Sequence, residues 1–173
     1  MFKKLILATL LSLNISSTFA DTAYVAGSLS VINNASNGGR SDYRGLSGNL
    51  AFGYGGIVAP RIYLGGEIFA IPGSFTVTGN DNLKTTWGVG LSFIPGIMLN
   101  EKTMTYARIG MIDSHFSKEN QTAIGGQLGL GIQTIITQNL NLRGEYVYSK
   151  YRSLENFSSP NADVFNVGLV YKF

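Results

Sequence analysis

From residue 22 to its last residue the chain repeats short runs in which bulky apolar side chains take every second position. Successive side chains of a strand point to opposite faces, so a period of two marks a strand lying between two different environments. Eight segments show it: "TAYVAGSLSVI" from Thr22, "LSGNLAFGYGG" from Leu46, "RIYLGGEIFA" from Arg61, "TWGVGLSF" from Thr86, "TYARIGMI" from Thr105, "AIGGQLGLGIQ" from Ala123, "LNLRGEYVYSKY" from Leu140 and "FNVGLVYKF" from Phe165. One face carries residues such as Val25, Leu29, Phe52, Ile68, Leu91, Ile109, Leu130, Leu142 and Leu169. The other is mostly Gly, Ser, Asn and Gln.

Composition decides which face meets which medium. Charged residues are 13% of the 173, against roughly 25% in ordinary soluble domains. A soluble barrel keeps its bulky side chains inside and clothes its exterior in Lys and Glu. Here the small polar face is too poor in charge for such an exterior and too small to fill a hollow interior. Turned inward, it suits the cramped lumen of an eight-stranded barrel, and the bulky face then meets lipid. A closed barrel also leaves no unpaired strand edge in the hydrocarbon. The expected fold is therefore all-β: an eight-stranded antiparallel up-and-down transmembrane β-barrel.

The connections alternate in length. Short joints fall at 58–61, 99–102 and 137–139, and longer polar ones at 33–45, 72–85, 113–122 and 152–163. Outer-membrane barrels keep tight turns on the periplasmic side and long loops outside the cell. The second long loop, "GSFTVTGNDNLKTT", is expected to extend its two strands above the membrane with "GNDN" as the turn. An exposed edge there would suit docking by strand addition. Rings on the lipid face fit the headgroup level at both rims: Trp87 and Tyr148 toward the loops, Tyr54, Phe93, Tyr171 and Phe173 toward the turns.

Residues 1–20 read as a cleaved secretory signal, and residues 21–173 as the barrel. Lys3 and Lys4 precede an apolar run from Leu5 to Leu13, and Thr18-Phe19-Ala20 supplies the small residues of a cleavage site. The run is too short for a spanning helix of roughly 20 residues. Without Lys3 and Lys4 the chain has eleven basic against ten acidic residues, a net charge of +1 instead of +3. That balance gives no pull toward nucleic acid. Cysteine is absent, which excludes disulfides and thiolate metal sites.

Four ionisable residues fall on the inward face, each a few residues from its periplasmic turn: Glu67, Arg108, Arg143 and Glu145. Charges in a narrow lumen must pair. We expect them to form a network that plugs the barrel, helped by Tyr106, Gln127 and Gln133, with a gated ion path as the functional alternative. The long loops hold Arg40, Arg44, Lys84, Lys118 and Arg152 against Asp42, Asp81, Asp113, Glu119, Glu155 and Asp163, with Lys150 at the rim. That near balance argues against a strong polyanion site. "GGQLGLG" is strand glycine facing the lumen, not a dinucleotide turn, and no metal-ligand spacing occurs.

The final strand must pair with the first to close the ring, which explains a terminus so strongly patterned. Its Asn166, Gly168, Tyr171 and terminal Phe173 resemble the carboxy-terminal signal that the barrel-assembly machinery reads. With the leader and eight strands, the chain resembles the small outer-membrane barrels typified by the membrane domain of outer-membrane protein A, outer-membrane protein X and opacity-type surface proteins. The 173 residues contain no counterpart of the periplasmic peptidoglycan-binding domain of outer-membrane protein A, so wall anchoring by that route is not implied. The resemblance implies a bacterial outer-membrane location and a non-enzymatic envelope or surface-interaction role through the outer loops, with a narrow ion channel as the alternative. It further implies lipid neighbours including lipopolysaccharide, a host or surface ligand at the loops, a monomer, and no cofactor. Eight-stranded lipid A deacylases use a His-x-Ser pair with an acid near the chain end. In "DSHFSKE", His115, Ser117 and Glu119 open a mid-chain loop in different surroundings, and catalysis is not expected there.

Overall fold

The computed structural model describes residues 22–35, 41–79, 84–116, 121–152 and 160–173. The expected leader lies outside them. Nine strands follow in chain order: β1 Thr22–Ala35, β2 Ser41–Ala59, β3 Ile62–Ile71, β4 Ser74–Gly79, β5 Thr85–Met98, β6 Thr103–Phe116, β7 Gln121–Ile135, β8 Leu140–Tyr151 and β9 Asn161–Lys172. All neighbours pair antiparallel, and β1 pairs with both β2 and β9, so the sheet closes on itself. The closing ladder runs from Tyr24 opposite Lys172 to Ala35 opposite Asn161.

The ninth strand departs from the expected eight, yet the ring still has eight staves. β3 and β4 both pair with the same side of β2 and together form one stave. Ala70 faces Leu50 and Ser74 faces Ser47, so residues 71–73 lie opposite only 48 and 49. Pro72 has no N–H for the ladder, and Gly73 takes φ 134°, a conformation that needs glycine. The extra residue makes a bulge that separates β3 from β4, and β4 goes on pairing with β2. Ser47 Oγ donates to the Gly73 carbonyl at 2.5 Å and Ser74 Oγ to that of Thr85 at 2.9 Å, which holds the bend.

The strands also run farther outward than the alternation does. β1 continues to Ala35, β2 starts at Ser41, β6 ends at Phe116, β7 starts at Gln121 and β9 at Asn161. The loops expected at 33–45, 113–122 and 152–163 are shorter than the sequence indicated. Above the lipid both faces of a strand can be polar, so the pattern fades while the backbone ladder continues. The turn assigned to "GNDN" lies outside the described residues.

Lipid-facing side chains are exposed along the whole barrel, from Leu29 on β1 to Leu169 on β9. The lumen has three layers. An apolar cluster fills the loop end, built from Ile32, Phe69, Ile112, Phe116, Val147, Tyr151 and Val164. Polar and charged groups fill the middle. A second, smaller cluster of Tyr63, Ile94, Met104 and Tyr106 lies toward the turns. The outer apolar layer was not expected from an inward face read as Gly, Ser, Asn and Gln. Those large residues sit in phase with the small ones, at segment ends where the pattern was not followed.

Inward aromatics lie flat over glycines of the neighbouring strand. Tyr24 faces Gly53, Phe69 faces Gly90, Tyr106 faces Gly131 and Tyr151 faces Gly125. A Cβ on Gly131 would lie 2.2 Å from Tyr106 Cζ. The missing side chain lets a ring reach across the lumen instead of up along it, which explains much of the glycine content. Gly126, on the lipid face, has nothing within 4 Å of an added Cβ. Gly131→Ala is therefore expected to destabilise the barrel by about 1–3 kcal/mol through overpacking. Gly126→Ala should be close to neutral. Urea unfolding in lipid vesicles compares the two.

Candidate functional site

The four inward charges meet in the middle of the lumen. Glu67 on β3 accepts from Arg108 Nη2 at 2.5 Å through Oε2, and from Arg143 Nη1 through Oε1. Glu145 on β8 accepts from Arg108 Nε at 2.9 Å through Oε2. Counted around the eight staves, β3 is the third and β8 the seventh, so the Glu67–Arg143 pair bridges opposite walls. Two carboxylates balance two guanidiniums, and all four residues are buried.

Neutral groups complete the site. Tyr24 OH donates to Glu67 Oε1 at 2.8 Å, and Tyr106 OH donates to Glu145 Oε2 at 2.7 Å. Arg108 Nη1 donates to Ser92 Oγ at 2.9 Å. Gln133 Oε1 accepts from Arg143 Nε at 3.0 Å and Nη2 at 2.9 Å. The Arg143 guanidinium lies 5.5 Å from the Tyr24 ring centre and 5.4 Å from that of Tyr106, and Arg108 lies 5.6 Å from that of Phe69. Weakly hydrated guanidinium planes suit such contact with rings, and their forked donors suit carboxylates.

The network also ties the closing strand in. Asn166 on β9 donates through Nδ2 to Glu145 Oε1 at 3.2 Å and accepts from Ser30 Oγ of β1 at 2.5 Å. Gly168 packs against β1, where a Cβ would lie 2.4 Å from the Gly27 carbonyl oxygen. Tyr171 and Phe173 face outward with their rings edge to face at 5.5 Å. Residues of the terminal motif thus also lie on the seam. Two cavities of about 20 Å³ each flank Arg108 and Glu145, room for about one water molecule apiece.

Some expectations need adjusting. Gln127 donates to Ser149 Oγ at 2.9 Å and lies outside the charge network, because its place on β7 is nearer the loop end. His115 is on β6, in a strand and not in a loop, with its ring stacked 5.7 Å from that of Trp87. Ser117 and Glu119 lie outside the described residues. Tyr54, Trp87, Phe93 and Tyr148 are all on the outward face and exposed. Tyr24, Ser92 and Phe69 were missed as members of the site. Their signal was phase alone: Tyr24 is in phase with Ala26 and Ser28, and Phe69 with Glu67.

The family model for the outer membrane protein beta-barrel domain matches residues 5–173. The chain belongs to that family. It is a protein of the bacterial outer membrane. Its fold is that of the Neisserial surface protein NspA, with a TM-score of 0.63 at 16% identity, over 89% of this chain and 99% of that one. Ail, the attachment invasion locus protein of Yersinia pestis, in complex with the heparin analogue sucrose octasulfate, gives a TM-score of 0.58 at 13% identity, over 88% of this chain and 99% of its own. No curated protein sequence matches the chain significantly.

Removing one member of a buried ion cluster strands the others without partners. Glu67 has three. Glu67→Ala is expected to cost about 3–5 kcal/mol of stability, read as a lower denaturant midpoint in vesicles.

Proposed function

We propose that this barrel is a sealed, non-enzymatic scaffold that presents its outer strands and loops for contact with a protein partner at the cell surface. The observation that carries this is β4. Past Ser74 every residue of β4 is exposed, so both faces of the strand are open although it stays paired with β2 up to Gly79. Phe75 is 80% exposed and Val77 54%. Exposed apolar side chains on a strand at the outer end of the sheet suit a protein partner, through side-chain pockets and strand addition.

The fold shared with Ail and NspA supports a surface role. The heparin analogue bound to Ail is a polyanion, and the balanced charge of this chain's outer loops does not favour that ligand class. The other partners follow from location. Outward Lys150 and Arg152 meet lipopolysaccharide phosphates as lipid neighbours, and the assembly machinery reads Asn166, Gly168, Tyr171 and Phe173 during biogenesis. The barrel works as a monomer. The network bridging opposite walls, under an apolar layer of Phe69, Phe116 and Tyr151, favours a plug over a gate.

Two outcomes are expected. Bacteria displaying Phe75→Ser/Val77→Ser should lose adhesion to host cells relative to wild type, while unheated gel mobility still reports a folded barrel. Undiminished adhesion would count against β4. The purified protein in planar bilayers should pass no discrete current, and reproducible conductance steps would make the network a gate.

A further inference from the structure

The turn end of the lumen opens into a cavity of about 170 Å³ that borders the charge network at Tyr24 and Gln133. Its two walls differ. Tyr63 of β3, Met98 of β5 and Met104 of β6 make one side apolar, and methionine adapts readily to the shape of what it covers. Asn141 of β8, Gln133 of β7 and Lys172 of β9 make the other side polar.

The polar wall has groups without partners. Asn141 is 1% exposed, and neither its Nδ2 nor its Oδ1 bonds to another group of the protein. A buried amide left so is costly, and such a group calls for a ligand or water. Lys172 also lines the cavity, and among the described residues no carboxylate pairs with it. The charge that bears on it is the like-signed guanidinium of Arg143. Asn141 lies opposite Val170, so it is a diagonal neighbour of Lys172 on the same inner face, at about 7–8 Å between backbones. One bound anion can bridge the two side chains. Glu101 and Lys102 at the rim offset each other.

The geometry points to a binding site at the periplasmic mouth for a small organic carboxylate, with its charged head between Lys172 and Asn141 and a short apolar tail against Tyr63, Met98 and Met104. One ammonium and one amide suit a monoanion better than a dianion. The opposite wall is apolar enough to reward a tail. This site lies at the end of the barrel away from the outer loops and does not depend on their role.

Butyrate is a suitable probe, titrated into the folded protein in lipid nanodiscs and followed by NMR. We expect saturable shifts of the Asn141 side-chain amide and of the Met98 and Met104 methyl groups, a weaker response to acetate, and none to butylammonium. Lys172→Gln should weaken butyrate binding about tenfold or more, as loss of a charged hydrogen bond does, and Lys172→Arg should retain it. Because Lys172 is on the closing strand, Asn141→Leu provides an independent second variant with the same expected loss. Equal shifts with butyrate and butylammonium, unchanged binding in both variants, or a response to inorganic phosphate without one to butyrate would each overturn the proposal.

Discussion

Closure of the ring is the constraint on which everything else depends. In hydrocarbon an unpaired backbone N–H or carbonyl has no water to turn to, so a sheet can cross only if its first and last strands meet. The ladder from Tyr24–Lys172 to Ala35–Asn161 meets that demand. It also explains why the terminus is so regular. β9 is held by two ladders, by Gly168 against the backbone of β1, and by Asn166 between Ser30 and Glu145. A terminal strand that frayed would open the barrel to lipid.

Closing eight staves leaves a lumen just wide enough for side chains, and the filling follows from that width. Glycines opposite Tyr24, Phe69, Tyr106 and Tyr151 let the rings lie across the space. Two Glu–Arg sets then occupy the centre with their charges cancelled and their donors matched. The arrangement is costly to assemble from solvated groups and more costly to break in part. It gives the barrel a rigid cross-brace from β3 to β8. The apolar layer on its outer side separates it from the cell exterior.

The two ends of the barrel present different chemistry. At the outer end β4 follows the Pro72–Gly73 bulge and exposes Phe75 and Val77. At the periplasmic end Lys172 and Asn141 converge on one cavity with an apolar wall across from them.

Alternation, turn spacing and the closing motif were legible in the sequence, because a period of two assigns each residue to a face whatever its neighbours do. That was enough for the barrel and for the inward placing of Glu67, Arg108, Arg143 and Glu145. The strand extensions past Ile32 and Ile112 were not legible, since ladders continue where side-chain contrast ends. The split at Pro72 was read as the start of a loop, because a bulge and a loop begin with the same residues. Phase says which way a side chain points but not how high it stands. Height follows from register offsets added up around the ring, and these brought Glu67 against Arg143 across 76 positions of sequence while leaving Gln127 outside. The residue pattern is enough to assign the two faces and to require closure. Which inward groups meet depends on the stagger of all eight staves at once, so it emerges only when the ring is closed.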